Sequence, residues 1–143
     1  MEKESLKNIE SRTGELFGDL WHHLDNEQFE QSVALFARRF EANGFDLSWL
    51  KGKQCLDVGC GGGRYSIAMG RLGAGQVTGC DISDDGLANA RFRAEGTPHV
   101  TFEKASALDL PFEDESFDFV FSSGVLHHTT DPNRGLDELT RVL

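Results

Sequence analysis

Cationic residues are scarce in this chain of 143 residues, in which 14 Lys and Arg stand against 24 Asp and Glu, for a net charge of −10. Binding to nucleic acids depends on clustered Lys and Arg, so this balance argues against a nucleic-acid partner. No apolar run reaches the roughly 18 residues that a transmembrane helix needs. The first residues, Met1 to Glu4, also lack the apolar core of a signal peptide. We therefore expect neither a nucleic-acid nor a membrane partner.

Cysteine is rare as well, with Cys55, Cys60 and Cys80 as the three thiols and no C-x-x-C pair among them. An odd, widely spaced set argues against a disulfide framework. A zinc site would need a fourth ligand, and none of the five His stands at a suitable spacing. We predict reduced thiols in a cytoplasmic protein without a metal.

The apolar residues that are present predict a single α/β domain. Phe29, Val33, Phe36 and Phe40 form one stripe at helical spacing, which predicts a helix over 26–43. Further predicted strands cover 53–58, 76–81, 99–103 and 117–122. Further predicted helices cover 64–72 and 84–95, and a last one begins at Asp131-Pro132. This alternation predicts a Rossmann-like, doubly wound parallel sheet of about four strands. We divide the chain into an N-terminal helical segment or lid, 1–48, and a ligand-binding domain, 49–143.

A glycine-rich loop, Asp57-Val58-Gly59-Cys60-Gly61-Gly62-Gly63, joins the first predicted strand to the next helix. Glycine lets bare backbone approach a ligand, and the following helix offers N–H groups and a positive dipole end to an anionic group. This order is typical of a nucleotide-type cofactor site. The G-x-G-x-x-G pattern of dinucleotide sites fails, because its third position is Arg64 or Ser66. The pattern that remains is D-x-G-x-G-x-G.

Asp81 ends the second predicted strand, 18 residues after Gly63. An acid about 20 residues after such a loop grips a ribose diol in nucleotide-binding folds. The alternative is that Asp81 only caps the following helix, although Ser83 is the better N-cap residue.

The D-x-G-x-G-x-G loop closely resembles motif I of the class I S-adenosylmethionine-dependent methyltransferases. Residues 105–120, with Leu110-Pro111-Phe112 and Ser116-Phe117-Asp118 at their centre, are similar to the "D-A-x-x-L-P-F-x-D-x-S-F-D-x-V" stretch of the type 11, small-molecule group. Val125-Leu126-His127-His128 matches its "V-L-H-H" continuation. The resemblance runs from about Leu50 to the end of the chain. It implies S-adenosyl-L-methionine as the cofactor and methyl transfer to a small-molecule acceptor.

The resemblance also implies which residues bind the cofactor. The implied set is Asp57, Gly59, Gly61, Gly63, Arg64, Asp81, Ile82, Ser106, Ala107 and Ser122. Arg64 either pairs with the carboxylate of the methionyl part or is a solvated first-turn residue. The carbonyl of Ser122 takes the ammonium group, and the alternative is that Ser122 only begins an ordinary tight turn. In the family an Asp that holds the adenine amino group usually stands where Ser106 stands, so we expect Ser106→Asp to tighten binding.

The resemblance leaves the chemistry of transfer open. His127 or His128 is a candidate base, and the alternative is that the pair packs and caps the segment after the fourth strand. Phe17, Trp21, His22 and His23 are candidates for a lid over the sulfonium, and the alternative is a helix that only covers the sheet. The chain stops at Leu143, where the family continues into a fifth strand, so we expect a fragment whose C-terminal part is missing. Two rival functions are a non-catalytic S-adenosylmethionine-binding module or remnant and a nicotinamide oxidoreductase, the second disfavoured by the failed G-x-G-x-x-G.

Overall fold

The computed structural model describes residues 2–143, and their side chains from residue 8 onward. The helices are α1 (Glu2–His22), α2 (Asn26–Ala42), α3 (Arg64–Arg71), α4 (Asp84–Arg93) and α5 (Pro132–Val142). The strands are β1 (Gln54–Val58), β2 (Gln76–Asp81), β3 (Val100–Lys104) and β4 (Phe119–Phe121). Two short 3-10 helices lie at Leu47–Leu50 and Leu126–His128.

The four strands form one parallel sheet in the order β3-β2-β1-β4. From β1 the chain adds β2 and then β3 on one side, and afterwards crosses back to place β4 on the other side of β1. The direction of winding therefore reverses between β1 and β4, which is the switch point where open α/β sheets bind ligands. The predicted α/β, Rossmann-like, doubly wound sheet of about four strands is confirmed.

Two hydrophobic cores cover the two faces of the sheet. On one face Cys55 and Val77 pack in a cluster with residues of α2, α3 and α4. On the other face Leu56 and Val58 pack with Val142 of α5 and with the segment that follows β3. Strands buried on both faces are nearly continuous apolar runs, which is why β1 reads as Cys-Leu-Asp-Val rather than as an alternating pattern.

Helix α2 belongs to the main core. Its predicted apolar stripe is confirmed, because Phe29, Val33 and Phe36 are buried. The helix begins with a capping box in which the Asp25 side chain accepts the Gln28 N–H and the Gln28 side chain accepts the Asp25 N–H. The N-terminal segment thus shares a core with the sheet, and its separation at residue 48 stays a prediction.

The structure corrects the bounds of two strands. The last strand covers only Phe119–Phe121, because the N–H of Phe117 donates to the carbonyl of Val142 at the end of α5, 3.0 Å away, instead of pairing with β1. The third strand begins at Val100, since the positive φ of His99, 60°, is not an extended conformation, although the His99 carbonyl still accepts the N–H of Val77 at 2.7 Å. The capping predictions hold: Ser83 caps α4, and Asp131 caps α5 with Pro132 in its first turn.

None of the helices within residues 2–143 has the length and apolar character needed to cross a bilayer. Among residues 8–143, whose side chains the structure describes, no three His, Cys, Asp or Glu side chains come together as a metal site would require.

Candidate functional site

The glycine loop between β1 and α3 is tied to the end of β2. The N–H groups of Gly59 and Cys60 both donate to the carbonyl of Cys80, at 2.7 and 2.9 Å. The N–H of Gly61 donates to the Asp81 carboxylate at 2.8 Å. These three hydrogen bonds hold the loop against the neighbouring strand, and the one to Gly61 depends on the Asp81 side chain.

Two glycines of this loop are required for different reasons. Gly61 has a φ of 51°, and a Cβ built on it would overlap the indole nitrogen of Trp21 on α1. Gly63 has a φ of 81°, and a Cβ there would lie 2.9 Å from Ala90 and from the Phe102 ring. The lack of a side chain at Gly61 therefore allows Trp21 of α1 to pack against the loop, whereas the lack of one at Gly63 allows α3 to pack against α4 and β3.

A cavity of about 370 Å³ lies over the carboxyl ends of the strands. This volume is within the range of small-molecule and cofactor sites. Its floor comes from the segments that follow all four strands, and its opposite wall comes from α1, through Phe17, Trp21 and their neighbours. The cavity is therefore at the position that the switch point of the sheet predicts.

Seven of the ten predicted binding residues line this cavity: Gly59, Gly61, Arg64, Asp81, Ile82, Ser106 and Ala107. The other three are not among the described residues that line the cavity. Gly63 is packed as described above, the Ser122 hydroxyl donates to the carbonyl of Val58 at 3.0 Å, and Asp57 is buried beneath the loop. The neighbours of Ser122, Ser123 and Gly124, reach the cavity instead.

Asp81 combines a structural role with exposure to the cavity. One of its carboxylate oxygens accepts the N–H of Gly61, and the other accepts the N–H of Ser83 at 2.9 Å. A carboxylate has about four lone-pair positions, so each oxygen still has one available for a ligand hydroxyl. Ser83 caps α4 through its own hydroxyl, so Asp81 is not the N-cap residue, and its contact with a ribose stays a prediction.

Asp57 is a buried acid with 2% of its surface exposed. Its carboxylate accepts a hydrogen bond from the Ser66 hydroxyl of α3 at 2.7 Å. Burial raises the pKa of Asp57 from 3.8 to about 6, and the nearby charge of Asp81 adds to this rise, while the hydrogen bond from Ser66 opposes it. Asp57 thus joins β1 to α3 beneath the cavity.

This raised pKa predicts a pH-dependent stability. The folded chain holds the Asp57 proton more tightly than the unfolded chain, so its contribution is fully present below about pH 3.8 and is lost as the pH rises through 6. Asp57→Asn stays neutral and its carbonyl still accepts from Ser66. Between pH 4 and 7.5 the free energy of unfolding of the wild type should fall relative to this variant by roughly 2–3 kcal/mol, at about 1.4 kcal/mol per pKa unit. Urea denaturation at several pH values measures this difference, and a constant difference would contradict the raised pKa.

Two arginines lie at the glycine-loop side of the cavity. The Arg64 guanidinium lies 4.8 Å from the Trp21 ring and 4.3 Å from the Tyr65 ring, and burial lowers its pKa. Arg39 of α2 donates to the Tyr65 hydroxyl at 2.9 Å and also reaches the cavity. Among the described side chains neither arginine forms an ion pair with an acid. This side of the cavity is therefore suited to an anionic group.

The two adjacent histidines differ in position. The rings of His127 and His128 lie 3.9 Å apart, but His128 lines the cavity, where its ring lies 4.9 Å from that of Phe17. His127 is not part of the cavity wall among the described residues. Of the two, His128 is the one whose side chain lies at the cavity, and a role as a base stays a prediction.

Most of the cavity wall that α1 provides was not predicted from the sequence. Gly14 and Gly18 bring this helix close to the loop after β2, since a Cβ on Gly18 would lie 2.5 Å from the Ser83 hydroxyl. Glu10 and Thr13 of the same helix also line the cavity. Two glycines four residues apart within a polar helix are the available signal, because such spacing places both on one face.

Comparison with known proteins agrees with this geometry. The family described as "Methyltransferase domain", type 11, matches residues 56–143, which is more than half of the chain. A 2-phytyl-1,4-naphtoquinone methyltransferase of Trichormus variabilis is 41% identical over 97 residues, which cover 64% of this chain and 42% of that protein. A demethylmenaquinone methyltransferase of Clavibacter sepedonicus is 44% identical over 92 residues, covering 64% of this chain and 37% of that protein.

A solved structure of an S-adenosylmethionine-dependent methyltransferase from Mesorhizobium loti superposes with a TM-score of 0.61 at 33% identity, covering 66% of this chain and 43% of that one. The chain thus spans about two fifths of the length of these relatives. The matched family segment contains the whole sheet from Leu56 onward and all four strand ends that form the cavity floor. This chain belongs to the type 11 methyltransferase domain family.

Proposed function

We propose that the protein binds S-adenosyl-L-methionine in the cavity and transfers its methyl group to a small-molecule acceptor. The observation that carries this proposal is the convergence of the glycine loop, Asp81 and Ser106-Ala107 on one cavity. These groups follow three neighbouring strands, β1, β2 and β3. Because neighbouring strands lie about 4.8 Å apart, the groups are spread along the edge in a fixed order.

The chemistry of the wall fits each part of this cofactor. Asp81 offers acceptors for the two ribose hydroxyls after β2. Ser106 and Ala107 after β3, together with Ile82 after β2, provide a partly apolar site for a planar base. Arg64 stands beside the glycine loop, where it would pair with the methionyl carboxylate. The ammonium group would reach the segment after β4, which includes Ser123 and, beside the wall, Ser122.

The methyl group would then point toward the region lined by Phe17, Gly124 and His128. When bound, the cofactor supplies an activated methyl group, so the protein has to align an acceptor with it and to accept a proton if the acceptor carries one. The chain provides apolar surface from Phe17 and Val125, and an imidazole from His128, in this region.

A titration with S-adenosylhomocysteine tests the cofactor. We expect saturable binding in calorimetry, and no binding of NADH under the same conditions. Binding of NADH alone would instead support an oxidoreductase. Transfer of a labelled methyl group to any acceptor would exclude the alternative of a non-catalytic binding module or remnant. Since two relatives are named as methyltransferases of a 1,4-naphthoquinone and of demethylmenaquinone, reduced naphthoquinones that lack the ring methyl group are the first acceptors to assay.

The different positions of the two histidines predict different effects on catalysis. His128→Gln should lower kcat about 100-fold or more, which is the lower range for losing a general base, while leaving S-adenosylhomocysteine affinity nearly unchanged. His127→Gln is the matched control and should change kcat by less than about threefold. Equal losses in both variants would show that the pair supports the short helix Leu126–His128 and does not act as a base.

A cytoplasmic location is part of the same proposal. Cys55, Cys60 and Cys80 are all free and buried, and a reducing compartment keeps such thiols reduced. The acidic composition supports a small-molecule partner over a nucleic acid.

A further inference from the structure

One wall of the cavity carries an acid that comes from outside the family domain. Glu10 of α1 lies in the cavity lining and is half-buried. Its Oε1 accepts a hydrogen bond from the Ser106 hydroxyl, 3.1 Å away, across 96 residues of sequence. This contact brings the N-terminal helix to the segment that follows β3.

We propose that Glu10 is the residue that accepts a hydrogen bond from the exocyclic amino group of the cofactor's adenine ring, and so makes the cavity selective for adenine. This inference rests on the proposed function, because it assumes that S-adenosylmethionine occupies the cavity. It assigns a specificity-determining role to a helix that lies outside residues 56–143.

The position of Glu10 follows from the order of the strands. The glycine loop follows β1, Asp81 ends β2 and Ser106 follows β3, which is the outermost strand on this side. A ligand that places its amino-acid part at the glycine loop and its ribose at Asp81 therefore extends its base toward Ser106. Glu10 contacts Ser106, so it lies at the base end of the ligand.

The free hydrogen-bonding groups of Ser106 and Glu10, which form one corner of the cavity, determine whether a donor or an acceptor of the ligand can bind there. The Ser106 hydroxyl donates its one hydrogen bond to Glu10 and accepts the N–H of Leu108 at 3.2 Å, so it has no donor left for a ligand. An ionised carboxylate accepts only, and after the bond from Ser106 it retains about three free lone-pair positions. Among the described residues, no Lys, Arg or His forms an ion pair with Glu10. The corner therefore favours a ligand that presents a donor, such as the amino group of adenine, and disfavours a carbonyl at the same position.

The test compares S-adenosylhomocysteine with S-inosylhomocysteine, in which a carbonyl oxygen replaces the amino group. Wild-type protein should bind the adenine compound at least about tenfold more tightly, because charge-assisted hydrogen bonds are among the strong ones. Glu10→Gln should bind it about tenfold less tightly than the wild type. The same variant should lose most of the preference, since a Gln side chain can donate to the carbonyl. Glu15→Gln is the matched control, because Glu15 lies on the exposed side of the same helix, and it should keep the wild-type affinities.

The outcomes separate this inference from the proposed function. If the wild type binds neither compound, both fail. If it binds S-adenosylhomocysteine but Glu10→Gln shifts both affinities equally or not at all, with normal circular dichroism, only the role of Glu10 is overturned.

An aspartate at position 106 provides a second readout. The family resemblance predicts that Ser106→Asp tightens binding, but the structure places position 106 next to Glu10, so two carboxylates would repel each other there. We now expect Ser106→Asp to weaken S-adenosylhomocysteine binding severalfold and Glu10→Gln combined with Ser106→Asp to restore it. Tighter binding by Ser106→Asp alone would overturn the assignment of Glu10.

Discussion

Gly61→Val should abolish binding of S-adenosylhomocysteine, with a loss of at least about 100-fold. The backbone of Gly61 has a φ of 51°, a conformation that a β-branched residue adopts only with strain. A Cβ at this position would also meet the indole of Trp21, with Cε2 at 2.9 Å. The valine would therefore push α1 away from the sheet edge and distort the loop that Asp81 holds.

Gly96→Val is the control for this variant. Gly96 also has a positive φ, of 82°, but a Cβ there meets nothing within 4 Å. It carries the backbone strain without the clash, so it should lower stability and leave affinity nearly unchanged. Calorimetry on both variants, after circular dichroism has confirmed folding, measures the difference. Normal binding by Gly61→Val would show that α1 does not close this cavity.

Asp81→Ala should lower the affinity for S-adenosylhomocysteine about 100-fold or more. Loss of the ribose contact accounts for about 10- to 100-fold, since hydrogen bonds to a charged group contribute about 1.5–3 kcal/mol and each 1.4 kcal/mol corresponds to tenfold. The structure adds a second loss, because the same carboxylate holds the N–H groups of Gly61 and Ser83. Their release should also reduce the free energy of unfolding by about 1–3 kcal/mol.

Two further variants help to separate the loss of the ribose contact from the loss of the hydrogen bonds to Gly61 and Ser83. Asp84→Ala removes an acid three positions away whose side chain is 76% exposed and whose ion pair with Lys104 is on the surface, so its effect should be small. Asp81→Asn keeps one acceptor oxygen and should fall between the wild type and the alanine variant. If Asp81→Ala binds normally, the ribose is held elsewhere and the register of the site along the sheet edge is wrong.

The N-terminal helix α1 does more than cover the cavity, because it is also hydrogen-bonded to α4. Asn89 of α4 donates to the carbonyl of Trp21 at 2.9 Å, and Arg93 donates to the carbonyl of Leu24 at 2.8 Å. These bonds tie the end of α1 and the turn after it to the helix that follows Asp81. Cofactor binding and docking of α1 should therefore support each other, because Trp21 and Glu10 of one helix both line the cavity.

The sequence by itself determined the sheet, the cofactor class and most of the floor of the site. A strand, a glycine loop, a helix and an acid at the next strand end are local patterns. Backbone sterics at Gly61 and the parallel order of the strands fix where these groups meet. Local patterns did not predict where β3 and β4 begin, since these bounds depend on the positive φ of His99 and on the hydrogen bond from Phe117 to the end of α5.

Only the tertiary structure decided which distant residues complete the cavity. Glu10 meets Ser106, Arg39 reaches Tyr65 beside Arg64, and His128 rather than its neighbour faces the cavity. The tertiary structure also showed that Asp57 is buried and does not line the cavity, although its motif is typical of cofactor sites. Such contacts depend on how helices pack across the edge of the sheet. That packing comes from the summed burial of the whole chain, whereas a motif records only the conformational preferences of its own few residues.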